Sequence, residues 1–160
     1  MGRTMWTPWL IPLVVLGSLA GCGITSPEDE WGKLERELAG NRLLWEQSDI
    51  EDYTFTTHPL CECIPFFEGR ALVTVEDGEI VSVERTSGGS EIDPERWGAW
   101  ETIGEAFEKL AYYVEHKVAF LEVAYDPQYG YPLWYEVDIS EQIVDDERRV
   151  DYSDFSVSGG

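Results

Sequence analysis

The sequence predicts an α+β domain with a largely antiparallel sheet and two helices on one face, in the order αβββαβββ. Two segments with helical periodicity begin with capping patterns, and alternating segments typical of strands follow each of them. An Asp77-Gly78 pair joins two of the alternating segments, which indicates a hairpin. We expect a single domain over residues 28–158, because a chain of this length usually forms one core.

The first half of the domain begins with a helix. Ser26-Pro27-Glu28-Asp29 supplies a capping residue, a proline suited to the first helical position and an acidic residue at the reciprocal capping position. Alternation from Tyr53 to Cys63 then predicts a strand, which Pro59 disturbs. The helix is expected to extend to Gln47, because apolar residues recur at helical spacing: Trp31, Leu34, Leu38 and Trp45.

The remaining elements follow from turn and capping signals. Asp77-Gly78 predicts a type I′ turn between strands at 70–76 and 79–84. Thr102-Ile-Gly-Glu105 is a capping box that begins a second helix with an apolar stripe. Further strands are predicted, in order, at 118–125, 133–139 and 152–157.

The chain is strongly acidic. It has 32 Asp and Glu against 11 Lys and Arg, and a formal net charge of −21. Such a chain repels phosphate backbones, so we exclude nucleic acid as a partner. A hydrophobic share of 43% is enough for a packed interior, so the acidity does not indicate disorder.

The N-terminal segment is typical of a bacterial lipoprotein signal peptide. A basic start with Arg3 leads into an apolar run, then small residues and Cys22. Pro12 and Gly17 interrupt the run, which is shorter than the roughly 20 residues of a membrane-spanning helix. We therefore expect cleavage after residue 21, lipidation of Cys22, and a short tether over residues 22–27.

Lipidation of Cys22 predicts attachment to a membrane of the bacterial cell envelope. Two or three acyl chains are sufficient for stable attachment. Gly23, where an aspartate would favour retention, indicates the outer membrane facing the periplasm in a diderm bacterium. In a monoderm bacterium the same anchor predicts the outer face of the cytoplasmic membrane.

Several spaced blocks resemble bacterial lipoproteins of the domain-of-unknown-function family 6174. The resemblance extends over roughly residues 42–157 and implies an exported, lipid-anchored domain. It implies no activity and no catalytic residues. The blocks are Trp45, Asp52-Tyr53-Thr-Phe55, Cys61-x-Cys63, Val75-x-x-Gly78-x-Ile80, Tyr125-Asp126-Pro-x-Tyr129-Gly130-Tyr-Pro132, Asp138 and Asp145-Asp146-Glu147.

Cys61 and Cys63 are a candidate disulfide, because the compartment outside the cytoplasmic membrane is oxidising. On a regular strand their side chains would lie about 6.8 Å apart. A disulfide needs Cβ atoms about 3.8 Å apart, so the bridge requires a bend, which Pro59 and Pro65 can supply. Free thiols and redox chemistry are the alternatives. With His58 the two cysteines would offer an incomplete ligand set for zinc or copper.

Aromatic residues crowd the turn that precedes the fifth predicted strand. Rigid amphipathic rings make good contact surfaces for peptides or sugars, but they also pack well inside turns. Both interpretations stay open on the sequence alone. The candidate binding surface consists of Tyr125, Asp126, Tyr129, Gly130 and Trp134.

An acidic cluster follows the same strand. Its oxygen ligands suit calcium, but their spacing does not match an EF-hand. In so acidic a chain we favour a solvated loop over a calcium site. The cluster consists of Asp138, Glu141, Asp145, Asp146 and Glu147.

Motifs of common enzymes are missing from the sequence. It has no Gly-x-Ser-x-Gly, phosphate loop, dinucleotide fingerprint or His-Glu-x-x-His. We therefore expect a non-enzymatic binding or structural module of the envelope, without a cofactor and with an envelope protein as partner. The alternative is a thiol-redox or metal-binding protein that uses Cys61 and Cys63.

Overall fold

A computed structural model describes residues 27–60, 69–142 and 147–158. Two α-helices, α1 (Pro27–Gln47) and α2 (Ile103–His116), and a short 3-10 helix (Pro94–Ala99) lie in this part of the chain. The strands are β1 (Tyr53–Leu60), β2 (Ala71–Glu76), β3 (Glu79–Arg85), β4 (Phe120–Tyr125), β5 (Pro132–Asp138) and β6 (Arg148–Val157). Several predicted features lie outside the described residues: the signal peptide over 1–21, Cys22, Cys61, Cys63, Asp145 and Asp146.

The six strands form one sheet in the order β3-β2-β1-β6-β5-β4. Every neighbouring pair is antiparallel, so the predicted α+β class with an antiparallel sheet is confirmed. The pairing of β1 with β6 joins the two halves of the chain at the centre of the sheet. The β3 and β4 strands are the edges.

The predicted type I′ turn is present between β2 and β3. Asp77 has φ 50° and Gly78 has φ 76°, which are the two positive values that this turn requires. The Asp52 carboxylate accepts a hydrogen bond from the Asp77 amide at 2.8 Å. The Gly78 amide donates to the Glu51 carbonyl at 3.0 Å, so the turn is also tied to the start of β1.

The last strand is longer than the sequence predicts. It begins at Arg148, four residues before the predicted start at Tyr152. Arg149 and Asp151 occupy strand positions that alternate with buried Val150 and Tyr152, so their charges hide an otherwise regular period-two pattern. The short 3-10 helix is a second difference, since the sequence predicts a loop there.

Buried apolar side chains from the strands and from both α-helices form one core cluster. Alternate residues of the strands point into it, and α2 contributes an apolar stripe. Leu38 is the buried contribution of α1, with Trp45 packed beside it. Fully buried members include Phe55, Val73, Val75, Val83, Ile103, Leu110, Tyr135 and Val137.

Among the described residues, no helix has both the length and the apolar character needed to cross a membrane.

Candidate functional site

Glu101 is a buried carboxylate just before the N-cap of α2, with only 7% of its surface exposed. Its Oε1 accepts hydrogen bonds from the hydroxyls of Tyr135, at 2.8 Å, and Tyr152, at 2.5 Å. Its Oε2 accepts a hydrogen bond from the Lys109 ammonium, with which it also forms an ion pair. Both oxygens are therefore engaged by donors within the domain.

The ionisation of this cluster follows from its contacts. Burial alone would raise the pKa of Glu101, but the charge of Lys109 and the bonds from Lys109, Tyr152 and Tyr135 outweigh it. The pKa of Glu101 therefore lies below its ordinary value. Burial and the adjacent Glu101 charge raise the pKa of both Tyr135 and Tyr152. The result is an ionised carboxylate held by neutral hydroxyl donors and one cation.

Glu101 is not among the residues predicted from the sequence. One of 32 acidic residues beside a helix cap carries no distinguishing local pattern. The available signal lay in the tyrosines, because a tyrosine at an inward strand position brings a hydroxyl that needs a buried partner. Tyr135 and Tyr152 both occupy such positions.

The predicted aromatic turn is held by Asp126. One carboxylate oxygen accepts hydrogen bonds from the amides of Gln128, at 2.9 Å, and Tyr129, at 2.7 Å. The Asp126 carbonyl accepts another from the Gly130 amide at 2.9 Å. Gly130 has φ 78°, and a Cβ atom built there would lie 2.2 Å from the Asn41 carbonyl oxygen. The turn therefore docks on α1 through a glycine that has no room for a side chain.

The tyrosines of this turn pack against neighbouring rings. Tyr125 stacks on Phe107 with a centroid separation of 6.4 Å, and burial raises its pKa. The centroid of the Tyr129 ring lies 5.9 Å from that of Phe155, and Tyr131 stacks on the same Phe155 ring with a centroid separation of 4.5 Å. The structure thus brings Tyr125, Asp126, Tyr129 and Gly130 together in one turn.

Trp134 lies apart from these rings. Its neighbour Tyr135 is fully buried in the core, so Trp134 points to the opposite face of the sheet. The Arg149 guanidinium lies over the Trp134 ring, 4.2 Å from its centroid. Arg149 also bonds Asp151, at 2.9 Å, and Glu136, at 3.3 Å. We call Trp134, Glu136, Arg149 and Asp151 the outer-face cluster.

The described members of the acidic cluster do not converge. Asp138 accepts a hydrogen bond from the Ser140 amide at 3.0 Å and so closes the end of β5. Glu141 and Glu147 are exposed. Within the described ranges, no group of three or more His, Cys, Asp and Glu side chains is arranged to hold a metal ion.

His58 is the described member of the other candidate metal set. It lies on β1 opposite Asp151 of β6 and is half-buried. The cysteines that would complete the set lie outside the described residues.

Comparison with known proteins identifies a family. Neither the curated proteins nor the solved structures include a match to this chain. The sequence model of a family of unknown function, DUF6174, matches residues 37–157. That range extends from the middle of α1 to the last residue of β6 and includes Glu101, the aromatic turn and the outer-face cluster. The predicted family is confirmed, and the chain belongs to DUF6174.

Proposed function

We propose that this chain is a lipid-anchored lipoprotein of the bacterial cell envelope, and that its domain is a non-enzymatic binding or structural module. The signal-peptide pattern that ends at Cys22 supports the anchor. Helix α1 begins at Pro27, five residues after the predicted lipidation site. Five residues reach at most about 18 Å, so the domain would stay close to the membrane surface.

We further infer that both helices cover the same face of the sheet. The ring of Tyr53 on β1 packs against Trp45 of α1 with a centroid separation of 5.3 Å. The Tyr53 hydroxyl accepts a hydrogen bond from the Ile103 amide of α2 at 3.0 Å. One side chain points to one face of a sheet, so these contacts favour two helices on that face. The other face then remains for a partner.

The outer-face cluster is the observation that carries the binding proposal. A tryptophan and an arginine stack on each other at a partly exposed position of this second face. Both residue types are enriched at protein interfaces and among the residues that contribute most to binding. Glu136 and Asp151 outnumber Arg149, so the cluster has a net negative charge, and the chain as a whole has a formal net charge of −21. An envelope protein with a basic contact patch fits this surface.

Crosslinking in intact cells tests the binding proposal. The full chain is expressed as wild type, as Trp134→Ala and as Tyr112→Ala, a matched control that removes an exposed ring on α2. We expect Trp134→Ala to lose the crosslinked envelope partner and Tyr112→Ala to retain it. If Trp134→Ala keeps the same crosslinks as wild type, the outer-face cluster is not the contact surface.

Cell fractionation tests the anchor separately. Cys22→Ser should release the chain from the membrane fraction, because the acyl chains supply the attachment. If the variant stays with the membrane as fully as wild type, the predicted lipidation is wrong. This outcome would leave the proposed contact surface to be judged on its own test.

The His58-x-x-Cys61-x-Cys63 spacing supports one alternative, a thiol-redox or metal-binding envelope protein. Native mass spectrometry of the chain from an oxidising compartment separates the proposals. A mass two hydrogens below the reduced chain and no metal adduct would favour a structural bridge. A metal adduct that disappears in Cys61→Ser/Cys63→Ser would favour the alternative.

A further inference from the structure

We propose that a pocket beside the start of α2 binds an ammonium group. The pocket lies between the β2–β3 turn, the 3-10 helix and the N-cap of α2, and has a volume of about 300 Å³. This proposal is independent of the lipid anchor and of the outer-face cluster. We call the cavity the tryptophan pocket, and its main lining residues are Glu79, Ile80, Trp97, Trp100, Thr102 and Glu105.

The aromatic walls of the pocket are fixed in place. The Trp97 indole N–H donates a hydrogen bond to the Ile92 carbonyl at 2.9 Å, which sets the orientation of the ring. The Trp100 amide donates a hydrogen bond to the Trp97 carbonyl at 2.8 Å, which fixes the Trp100 backbone, and the residue is only 8% exposed, so packing confines its ring. Tryptophan is the aromatic residue that attracts cations most strongly. Because both indoles are already held in place, less conformational entropy is lost when a cation binds between them.

The charged residues that line the pocket have one sign. They are Glu79 and Glu105, and both residues are exposed. The described lining includes neither lysine nor arginine. The pocket therefore combines aromatic walls with negative charge, which is the combination that recognises ammonium groups.

The nearby helix terminus does not favour an anion instead. A helix N-terminus attracts anions through its free amides and its dipole. Here the Ile103 amide donates to the Tyr53 hydroxyl at 3.0 Å, and the Glu105 amide donates to Thr102 Oγ1 at 3.1 Å. The Glu105 carboxylate accepts a hydrogen bond from the Thr102 amide at 2.8 Å and already supplies a negative charge at the helix terminus. An incoming anion would meet that charge, whereas a cation would be attracted to it.

The size of the pocket suits a small head group. Its volume lies at the lower end of the range of about 300–1,000 Å³ for ligand sites. Primary and quaternary ammonium groups share the required chemistry. The first would come from a lysine side chain or a simple amine, and the second from a choline-like head group.

Tryptophan indole resonances test the proposal directly. The full chain, labelled with ¹⁵N-tryptophan and kept in detergent, is titrated with choline, tetramethylammonium and butylammonium at constant ionic strength. The neutral control is 3,3-dimethylbutan-1-ol, which replaces the choline nitrogen by carbon. We expect saturable shifts of the Trp97 and Trp100 indole signals with at least one ammonium compound, about tenfold tighter than with the neutral control.

The three ammonium probes identify the source of the group. Tighter binding of butylammonium would assign the pocket to primary amines, and tighter binding of choline or tetramethylammonium to quaternary ones. Equal binding of the neutral control would overturn the proposal. No saturable shift with any of the three ammonium compounds would also overturn it.

Two matched carboxylate variants locate the charge effect. Glu79→Gln should weaken ammonium binding by about threefold to tenfold, because it removes a carboxylate from the pocket. Glu122→Gln removes an exposed carboxylate from β4, at the opposite edge of the sheet from β3 and outside the pocket, and should leave binding unchanged. Equal weakening by both variants would show a general charge effect and would overturn the site. Trp97→Leu adds a test of the aromatic wall, and Glu105 is left intact because it caps α2.

Discussion

The Tyr152 hydroxyl donates a 2.5 Å hydrogen bond to Oε1 of Glu101, which joins β6 to the residue before the N-cap of α2. Tyr135 of β5 donates to the same oxygen, and Lys109 of α2 binds the other. Three separate elements therefore meet at one carboxylate. A buried charge is costly unless it is paired and hydrogen-bonded, and here the strands and the helix supply every partner.

Removing this carboxylate should destabilise the domain strongly. Glu101→Ala leaves two buried hydroxyls and Lys109 without their acceptor, so we expect a loss of about 3–5 kcal/mol in the free energy of unfolding. Glu101→Gln keeps an oxygen for the tyrosines but turns its amide group toward Lys109, and should cost about 1–3 kcal/mol. Urea denaturation measures both losses.

Glu108→Gln is the matched control for these variants. Glu108 also pairs with a cation, Arg42, at 2.6 Å, but its side chain is 67% exposed. Exposed pairs contribute about 0–1 kcal/mol. If Glu101→Gln costs no more than Glu108→Gln, then burial does not strengthen the Glu101 interactions.

The contribution of Glu101 should depend on pH. Burial opposes ionisation, but Lys109 and the two tyrosines lower the pKa of Glu101 below its ordinary value of 4.5. A carboxylate with a lowered pKa in the folded state gives its full stabilisation above the unfolded value. That stabilisation is lost as the pH falls through the folded pKa. The difference in unfolding free energy between wild type and Glu101→Gln should therefore shrink below pH 4.5, and a constant difference would contradict this.

Gly130 should tolerate no side chain. Its φ is 78°, and a Cβ atom would lie 2.2 Å from the Asn41 carbonyl oxygen and 2.9 Å from Leu44 Cβ. Gly130→Ala must therefore push the aromatic turn away from α1. The control is Gly78→Ala, because Gly78 has a similar φ of 76° and a Cβ atom built there would have nothing within 4 Å. Gly78→Ala should cost about 1–2 kcal/mol for its backbone alone.

Thermal and urea unfolding separate the two glycine variants. We expect Gly130→Ala to lose clearly more stability than Gly78→Ala, since it adds a steric clash to the same backbone cost. Equal losses would mean that α1 shifts to accept the methyl group. The interpretation of this turn as a tightly packed structural element would then be wrong.

The elements with strong local signals were predictable from the sequence. Asp77-Gly78 and the capping box at Thr102 act through their own backbone, so a few residues suffice to specify them. The start of β6 was not predictable in this way. Arg149 is acceptable there because Glu136 and Asp151 lie beside it, and pairing between strands is a tertiary property.

The candidate sites show the same limit. Glu101 became distinctive only when β5, β6 and α2 brought Tyr135, Tyr152 and Lys109 to it. Proximity in sequence also grouped Trp134 with Tyr129, although the sheet separates them. Adjacent strand residues point to opposite faces, so the burial of Tyr135 would have separated Trp134 from the turn had the strand register been known.

The capping box should stabilise α2 as one reciprocal unit. Thr102 Oγ1 accepts a hydrogen bond from the Glu105 amide at 3.1 Å, and the Glu105 carboxylate accepts one from the Thr102 amide at 2.8 Å. Thr102→Ala should cost about 1 kcal/mol. The double variant with Glu105→Ala should cost less than the sum of the two single losses, because either change breaks the shared geometry.

Urea denaturation measures the cycle, and Asp93→Ala is the control, since Asp93 caps a 3-10 helix that contains no buried residue. Strict additivity, or an equal loss in Asp93→Ala, would contradict a cooperative cap at the start of α2.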